Sequence, residues 1–484
     1  VGSGGAGGRP DARRNSWPPA VVGVNMAKVL AGFLAIVLSG VGLALSLPLF
    51  GGSALGFVCL VPALALARGA GFLRGFLVGV GAAAVAAWVS TSPWQPEPVL
   101  MDGTFTWNYV AFFLFGTVIS LFLGIFAEVK ALTWRTVLAL ACVGVLLEGI
   151  TFIRMPAQMA LSQYANPAAL ALASVTGIWG VSWLMWVANL VWFAPLTQRQ
   201  RMVSVASVAV LALWGQWGTF QAHARMNEAR LVHSQAPIGL VQTPQVGADA
   251  LLQVQAPLAA VAPRWVVWPE VSVTTHDHDS LAAFARSENG WPVVTSYLDE
   301  HQPLPHNAAA VFAASGPSRP YHKRHPFGEE AKLVTAGTEA RVVAVKSENV
   351  GLNICFDSCF PWTMRDTVRE GAEVIALPTL DPISPNGFIQ AGHAAFTPFR
   401  SAELGVPIVR SEATAWSMVT DASGKITGVL PTGHEGVLAR PLPAARNNTV
   451  YRQLGDWFLG AVLMGLLLFI PAGKRTAMQE TDAG

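Results

Sequence analysis

The sequence predicts two fold classes in one chain, a multi-span α-helical membrane bundle and an α/β domain. Three observations carry this: scarce charge, unevenly placed apolar residues, and one region where short β-branched runs alternate with helical ones. Only 12% of the 484 residues are charged and 52% are hydrophobic, against roughly 25% charged in ordinary soluble domains. So little charge cannot cover the surface of a soluble protein of this size. Apolar runs fill 21–220 and return at 456–472, whereas 230–450 has the mixed composition of a globular domain. That region, about 220 residues, is long enough to bury a core of its own. The formal net charge is +2. No basic run resembles a nucleic-acid footprint, so no nucleic-acid partner is expected.

The first 20 residues are Gly-rich and carry Arg9, Arg13 and Arg14, which reads as a disordered basic lead-in. No small-residue cleavage site closes the apolar stretch behind it, so that stretch is expected to be an uncleaved first span. A helix needs about 20 largely apolar residues to cross the hydrocarbon layer. The candidates are 24–48, 52–67, 73–92, 107–127, 133–151, 168–195 and 202–219, about seven helices, with a last one at 456–472. Short cytoplasmic loops collect Lys and Arg. With the N-terminus inside, that side receives Lys28, Arg68, Arg74, Lys130, Arg135, Arg199, Arg201, Lys474 and Arg475, and the opposite short loops receive only Arg154. The domain at 230–450 is therefore expected outside the cytoplasm, and 473–484 as a cytoplasmic tail. Glu148 falls in the outer part of the fifth span, where an ionisable group is costly unless paired or wet. It is either a helix-bundle contact or the wall of a cavity that opens outward, with Arg154 as a candidate partner. The loop Gln163–Pro167 reads as a connection.

In the soluble region, apparent strands are Ile238–Gln242, Trp265–Trp268, Val293–Tyr297, Ala308–Ala313, Arg341–Val345, Gly351–Cys355, Glu373–Leu377, Pro407–Arg410 and Ser417–Asp421. Helical stretches intervene at Asp279–Ser287, Met364–Glu370 and Ala391–Leu404. This alternation predicts a layered α/β domain, and the lack of polar alternation in several strands predicts helices covering the sheets.

Four cysteines in a chain this long make no disulfide framework. Cys59 and Cys142 lie in apolar runs, and Cys355 and Cys359 have no zinc-ligand pattern around them. His276-Asp277-His278-Asp279 reads as a polar loop capping the next helix. No metal or cofactor is expected. The chemistry sits in three motifs. Arg264-Trp265-Val266-Val267-Trp268-Pro269-Glu270 is a strand ending in a carboxylate at a sheet rim, where α/β sites collect. Tyr321-His322-Lys323-Arg324-His325-Pro326-Phe327-Gly328-Glu329 is a polar segment carrying Lys323. Val350-Gly351-Leu352-Asn353-Ile354-Cys355-Phe356-Asp357 delivers a thiol at a strand end. A lone strand-end cysteine is more often a small core residue than a nucleophile. Together, the three supply what acyl transfer needs. A cation favours the thiolate, a carboxylate takes and returns the proton, and the ammonium balances the tetrahedral oxyanion.

In these contexts Glu270, Lys323 and Cys355 resemble the Glu-Lys-Cys triad of the nitrilase superfamily, whose domain is an αββα sandwich. Seven spans, a nitrilase-like domain and one further span resemble the apolipoprotein N-acyltransferases over nearly the whole chain. Pro326-Phe327-Gly328-Glu329, Phe399-Arg400-Ser401-Ala402-Glu403-Leu404 and Gly455-Asp456-Trp457 add to the likeness. The resemblance implies a multi-pass protein of the bacterial inner membrane with its catalytic domain periplasmic. Cys355 would take an acyl chain from a membrane phospholipid as a thioester and pass it to the N-terminal amine of a diacylglyceryl-Cys lipoprotein. Glu329 and Asp357 are expected to support the triad, and Cys359 to serve packing. Phe356-Asp357 stands where the family usually has an aromatic residue and Glu, and Ser411–Trp416 replaces an Asn-Thr-Gly type segment. Two alternatives stay open: a membrane-tethered amidase or hydrolase that uses water, and a diverged non-catalytic paralogue serving envelope or conjugal-transfer assembly.

Overall fold

The computed structural model describes residue 2 and residues 26–91, 104–151, 158–228, 230–232, 237–287, 290–300, 303–381, 387–445 and 448–469. The basic lead-in, most of the loop 93–106, Arg154 and the C-terminal tail lie outside the described residues.

The first part is helical: α1 (Met26–Ser46), α2 (Val61–Ala67), α3 (Phe72–Thr91), α4 (Thr104–Glu128), α5 (Trp134–Thr151), α6 (Pro167–Thr176), α7 (Ile178–Leu190) and α8 (Gln198–Ala224). Three helices among the described residues, Met26–Ser46, Phe72–Ser90 and Gln198–Asn227, are long and apolar enough to cross a membrane. Their flanks bear that out. α1 exposes Val29, Leu30 and Phe33, and α8 exposes Val210, Leu213, Trp214 and Trp217, faces that would be a liability in water. Two expected spans take another form. The segment 52–67 opens as a 3-10 turn, Ser53–Phe57, before the seven-residue α2. The segment 168–195 breaks at Gly177, whose φ of +69° ends α6 and starts α7. Only glycine suits that position, because a Cβ there would sit 2.5 Å from the Tyr451 ring. Asn166, ahead of Pro167, caps α6 by accepting from the Ala168 and Ala169 amides. Glu148 is buried and accepts from Trp186 Nε1 at 2.9 Å and from the Met159 amide, the helix-bundle contact of the two readings.

The second part contains β1 (Ile238–Gln242), α9 (Ala248–Gln255), β2 (Val266–Val267), α10 (His278–Arg286), β3 (Val293–Asp299), β4 (His306–Ala313), β5 (Gly316–Pro317), β6 (Tyr321–His322), β7 (Arg341–Val345) and β8 (Glu348–Leu352). It continues with α11 (Pro361–Arg369), β9 (Val374–Thr379), α12 (Phe388–Ala394), α13 (Phe396–Leu404), β10 (Ile408–Glu412), β11 (Ser417–Thr420), β12 (Ile426–Leu430) and β13 (Gly436–Arg440). After it come α14 (Val450–Leu454) and the apolar α15 (Trp457–Phe469). One sheet runs β13-β1-β2-β3-β4-β5 with β6 also on β4, and the other runs β12-β11-β10-β9-β8-β7.

Alternate residues of each strand serve different layers. Ile238, Leu240 and Val267 of the first sheet meet Val350, Leu352, Val374 and Ala376 of the second in one core between the sheets. Val241, Val266 and Val293 face α9 and α10 on the outer side, and Ile375, Leu377 and Ile408 face α11 and α13. The architecture is an αββα sandwich. Apolar residues are needed on both faces of these strands, which is why the sequence shows no polar alternation.

The sandwich also rests on the helical part. Cys359, Phe360, Phe396, Phe399 and Trp416 share one apolar cluster with residues of the membrane helices. Polar pins fix that junction: the Ile178 amide donates to Glu403 at 2.7 Å and Trp179 Nε1 donates to Asp456 at 2.9 Å.

Candidate active site

Three chain segments bring Glu270, Lys323 and Cys355 together at one end of the sandwich. β2 stops at Val267, and Trp268-Pro269 carries the chain to Glu270, where the Glu270 amide donates to the Thr379 carbonyl of the opposite sheet. Lys323 follows β6 and is held by its backbone, its amide donating to Asn307 and its carbonyl accepting from Gly337. The sequence reading ran β8 on to Cys355. The strand instead ends at Leu352, and Cys355 opens a 3-10 turn, Cys355–Cys359.

Backbone strain marks the place independently of residue chemistry. Among the described residues four non-glycines have positive φ, and two of them are Cys355 itself and Val271, next to Glu270, both at +47°. For a β-branched residue this is an outlier, and such strain, of order 1–3 kcal/mol each, persists where surrounding structure imposes it. At Val271 the amide is tied to Ser296 Oγ.

The three side chains are nearly sealed, 5%, 2% and 4% exposed for Glu270, Lys323 and Cys355. Lys323 Nζ donates to Glu270 Oε1 at 2.8 Å and to Glu330 Oε2 at 2.7 Å. Asn307 Nδ2 bridges the same two carboxylates at 2.7 and 2.8 Å, and the Leu380 amide donates to Glu270 Oε2 at 2.8 Å. The Cys355 sulfur lies 3.8 Å from the carbonyl of Leu380, the residue whose amide donates to Glu270.

Burial raises the Glu270 carboxyl above its usual range, and Lys323 pulls it back only in part. Burial also works against the Lys323 charge, but Glu270, Cys355 and Glu330 outweigh it and hold the ammonium firmly protonated. The Cys355 thiol is pushed well up, by burial first and by Glu270 second, with Lys323 opposing. At rest the site thus holds a neutral thiol beside a fixed cation.

Of the two supporting carboxylates expected from sequence, the structure places one here. Asp357 is buried and accepts from the Tyr321 hydroxyl at 2.7 Å and from the Ile354, Arg324 and His325 amides. It ties the thiol-bearing turn to the lysine segment. Burial pushes it up to about 6. Glu329 instead stands at the surface, 72% exposed and paired with Lys332 at 2.6 Å. Its neighbour Glu330 reaches Lys323, because the turn Gly328–Lys332 sends the two side chains apart.

The sequence reading also missed Asn307, whose signal was an amide at the head of an otherwise apolar strand. It missed Asp381, His393 and Arg410 beneath the thiol. Cys355, Asp381 and His393 offer donor atoms within 4.8 Å of one another, so these are the described residues that could hold a metal. Their atoms are engaged otherwise, with His393 on Asp381 and Arg410 closing on the same carboxylate at 2.6 Å. In the His276–Asp279 run, Asp277 precedes α10 without a side-chain bond to it; its carboxylate accepts instead from the Thr274 amide and from the Ala248 amide at the head of α9, and His278 packs on Tyr297 and Phe312. Cys359 is buried in the cluster shared with the membrane helices.

Residues 205–449 match the sequence pattern of the carbon-nitrogen hydrolases, just over half of the chain. The chain belongs to the carbon-nitrogen hydrolase family. Within that family it is similar to apolipoprotein N-acyltransferases: residues 39–191 match the N-terminal domain of those proteins. The apolipoprotein N-acyltransferase of Geobacter metallireducens is 24% identical over 90% of this chain and 93% of its own length. Shorter matches include the proteins of that name from Shewanella oneidensis, 31% identical over 26% of this chain and 24% of that one, and Bradyrhizobium diazoefficiens, 40% identical over 17% and 15%. A solved amidase from Nesterenkonia sp. aligns over 48% of this chain and 98% of its own with 19% identity and a TM-score of 0.40, too distant to rest anything on.

Proposed function

We propose that this carbon-nitrogen hydrolase is a lipoprotein N-acyltransferase of the bacterial inner membrane, with its sandwich domain periplasmic and Glu270, Lys323 and Cys355 as its catalytic residues. The observation that carries this is the sealed Glu270–Lys323 pair at 2.8 Å beside the Cys355 thiol, in a domain whose underside shares its apolar core with membrane helices. Similarity to the Geobacter protein over 90% of this chain and 93% of that one supports the choice of lipid substrates.

In the first half-reaction Glu270 takes the Cys355 proton as the sulfur attacks an ester carbonyl of a membrane phospholipid. Burial makes Glu270 a stronger base than an ordinary carboxylate, and Lys323 opposes the rise of the thiol. Lys323, held as a cation, balances the tetrahedral oxyanion. Collapse breaks the ester C–O bond, Glu270 returns the proton to the leaving lysophospholipid oxygen, and a thioester remains on Cys355. In the second half-reaction the N-terminal amine of a diacylglyceryl-Cys lipoprotein attacks the thioester. Glu270 takes the amine proton, the C–S bond breaks, and the thiol is restored. Glu330 and Asn307 hold Lys323 and Glu270 in register, and Asp357 locks the turn that bears the nucleophile. Both substrates are lipid-anchored, which accounts for a catalytic domain seated on the bundle.

The test is transfer in detergent from a phospholipid with a labelled acyl chain to a synthetic diacylglyceryl-Cys peptide. The label is expected on the peptide α-amine, with one lysophospholipid released per transfer. Label appearing as free fatty acid, with no N-acyl peptide, would turn the reading to a hydrolase.

A further inference from the structure

Beneath the thiol lies a second buried cluster that the mechanism above does not use. Cys355 adopts its left-handed conformation at φ +47° without being a glycine, so something must hold it there. Its carbonyl takes two contacts: Ser358 Oγ donates to it at 2.9 Å, and His393 Nε2 lies 3.1 Å from it and 2.9 Å from Ser358 Oγ. On the other side of the ring, His393 Nδ1 meets Asp381 Oδ1 at 2.5 Å. Arg410 Nη2 donates to Asp381 Oδ2 at 2.6 Å, and the Glu412 carboxylate accepts from the Asp381 amide at 3.0 Å. Arg410 Nη2 also lies 3.3 Å from His393 Nδ1, so the imidazole is held from both of its nitrogens.

The preceding residue, Leu380, donates its amide to Glu270 and offers its carbonyl to the thiol. One segment, Leu380-Asp381, therefore touches the base, the nucleophile and, through His393, the carbonyl of the nucleophile.

Resting on the reading of Cys355 as nucleophile, we propose that His393, held by Asp381 and Arg410, is a positioning residue. Through Ser358 and the Cys355 carbonyl it fixes the strained turn that aims the thiol at Glu270 and Lys323. His393 does not touch the reacting atoms. Its removal lets the turn relax toward an ordinary backbone conformation and swings the sulfur away from its base. The effect falls on the chemical step and not on substrate affinity.

The experiment uses the full chain in detergent, with peptide mapping to separate Cys355 from Cys359. It compares the rate of Cys355 alkylation by iodoacetamide, and kcat and KM for acyl transfer, in the wild type and in His393→Ala, His393→Gln and Ser358→Ala. Loss of the two contacts that His393 Nε2 makes slows the step by roughly 10-fold to 100-fold. His393→Ala should lose that much in both alkylation rate and kcat with KM little changed, and His393→Gln, which keeps a donor, should recover most of it. Ser358→Ala should fall in the same direction and stands in if His393→Ala does not fold. Equal reactivity of Cys355 in wild type and His393→Ala, or loss in KM alone, would overturn the positioning role and leave the nucleophile standing. A wild type in which Cys355 is inert to alkylation and turnover continues would overturn the nucleophile reading, and this inference with it.

Discussion

Two adjacent carboxylates, Glu329 and Glu330, separate the site seen in the structure from the one expected from sequence. Glu330 Oε2 accepts from Lys323 Nζ at 2.7 Å and from the Phe327 amide at 2.8 Å, and its Oε1 accepts from Asn307 at 2.8 Å. Its charge also helps keep the Glu270 carboxyl raised. Glu330→Gln removes that charge, so Lys323 is held less firmly and Glu270 becomes a weaker base, and both changes slow proton transfer. A hydrogen bond to a charged group contributes about 1.5–3 kcal/mol, which sets the expected fall in kcat at about 10-fold to 100-fold. Glu329 faces only Lys332 in an exposed pair, an interaction worth little in water. Glu329→Gln should therefore stay within about twofold of wild type. The assay is the initial rate of N-acyl peptide formation, with unfolding midpoints measured alongside. A slow Glu329→Gln enzyme beside a Glu330→Gln enzyme at the wild-type rate would refute the placement.

Two further outcomes are expected. Burial pushes Glu403 from the ordinary 4.5 up to about 7 against the pull of Arg400; a carboxyl raised in the folded state adds stability that is complete below about 4.5 and is lost as pH rises to about 7, up to about 3 kcal/mol. The thermal midpoint in detergent should fall across that window and Glu403→Gln should flatten the fall, whereas an unchanged slope in the variant would assign the pH dependence to other groups. A reporter active only in the cytoplasm, fused after Gly247 at the head of α9, should be silent; strong activity would reverse the orientation read from the Lys and Arg asymmetry.

Much of the sandwich was legible because apolar β-branched runs are strong local signals. β1 and β7 coincide with the sequence reading, and β3, β4 and β11 differ by a residue or two at one end. β12 and β13 were missed because Gly428 and Gly436 interrupt their pattern. The expected helix at Ala391–Leu404 breaks at Ala395 into α12 and α13, and Pro398, in the first turn of α13, is the residue that marks the joint. In the bundle, hydropathy located the apolar segments, but it averages over a glycine and so read α6 and α7 as one helix across Gly177. At the site, the motifs pointed to the residues with chemical character. Glu330, Asn307 and His393 escaped because their roles depend on which way a turn or a helix face points, a property of three-dimensional packing and not of spacing.

The central claim is that Cys355 carries the acyl group, and intact-mass analysis with peptide mapping tests it most directly. The full chain, incubated with phospholipid and no acceptor, should gain one acyl mass at Cys355 and lose it when a diacylglyceryl-Cys peptide is added. Cys359, buried in the cluster shared with the membrane helices, should be replaceable by Ser with the acyl mass retained. Cys355→Ser should gain none, because a hydroxyl is scarcely ionised by neighbours that serve a thiol. An acyl group on the Cys355→Ser protein, or its loss in Cys359→Ser alone, would contradict the account.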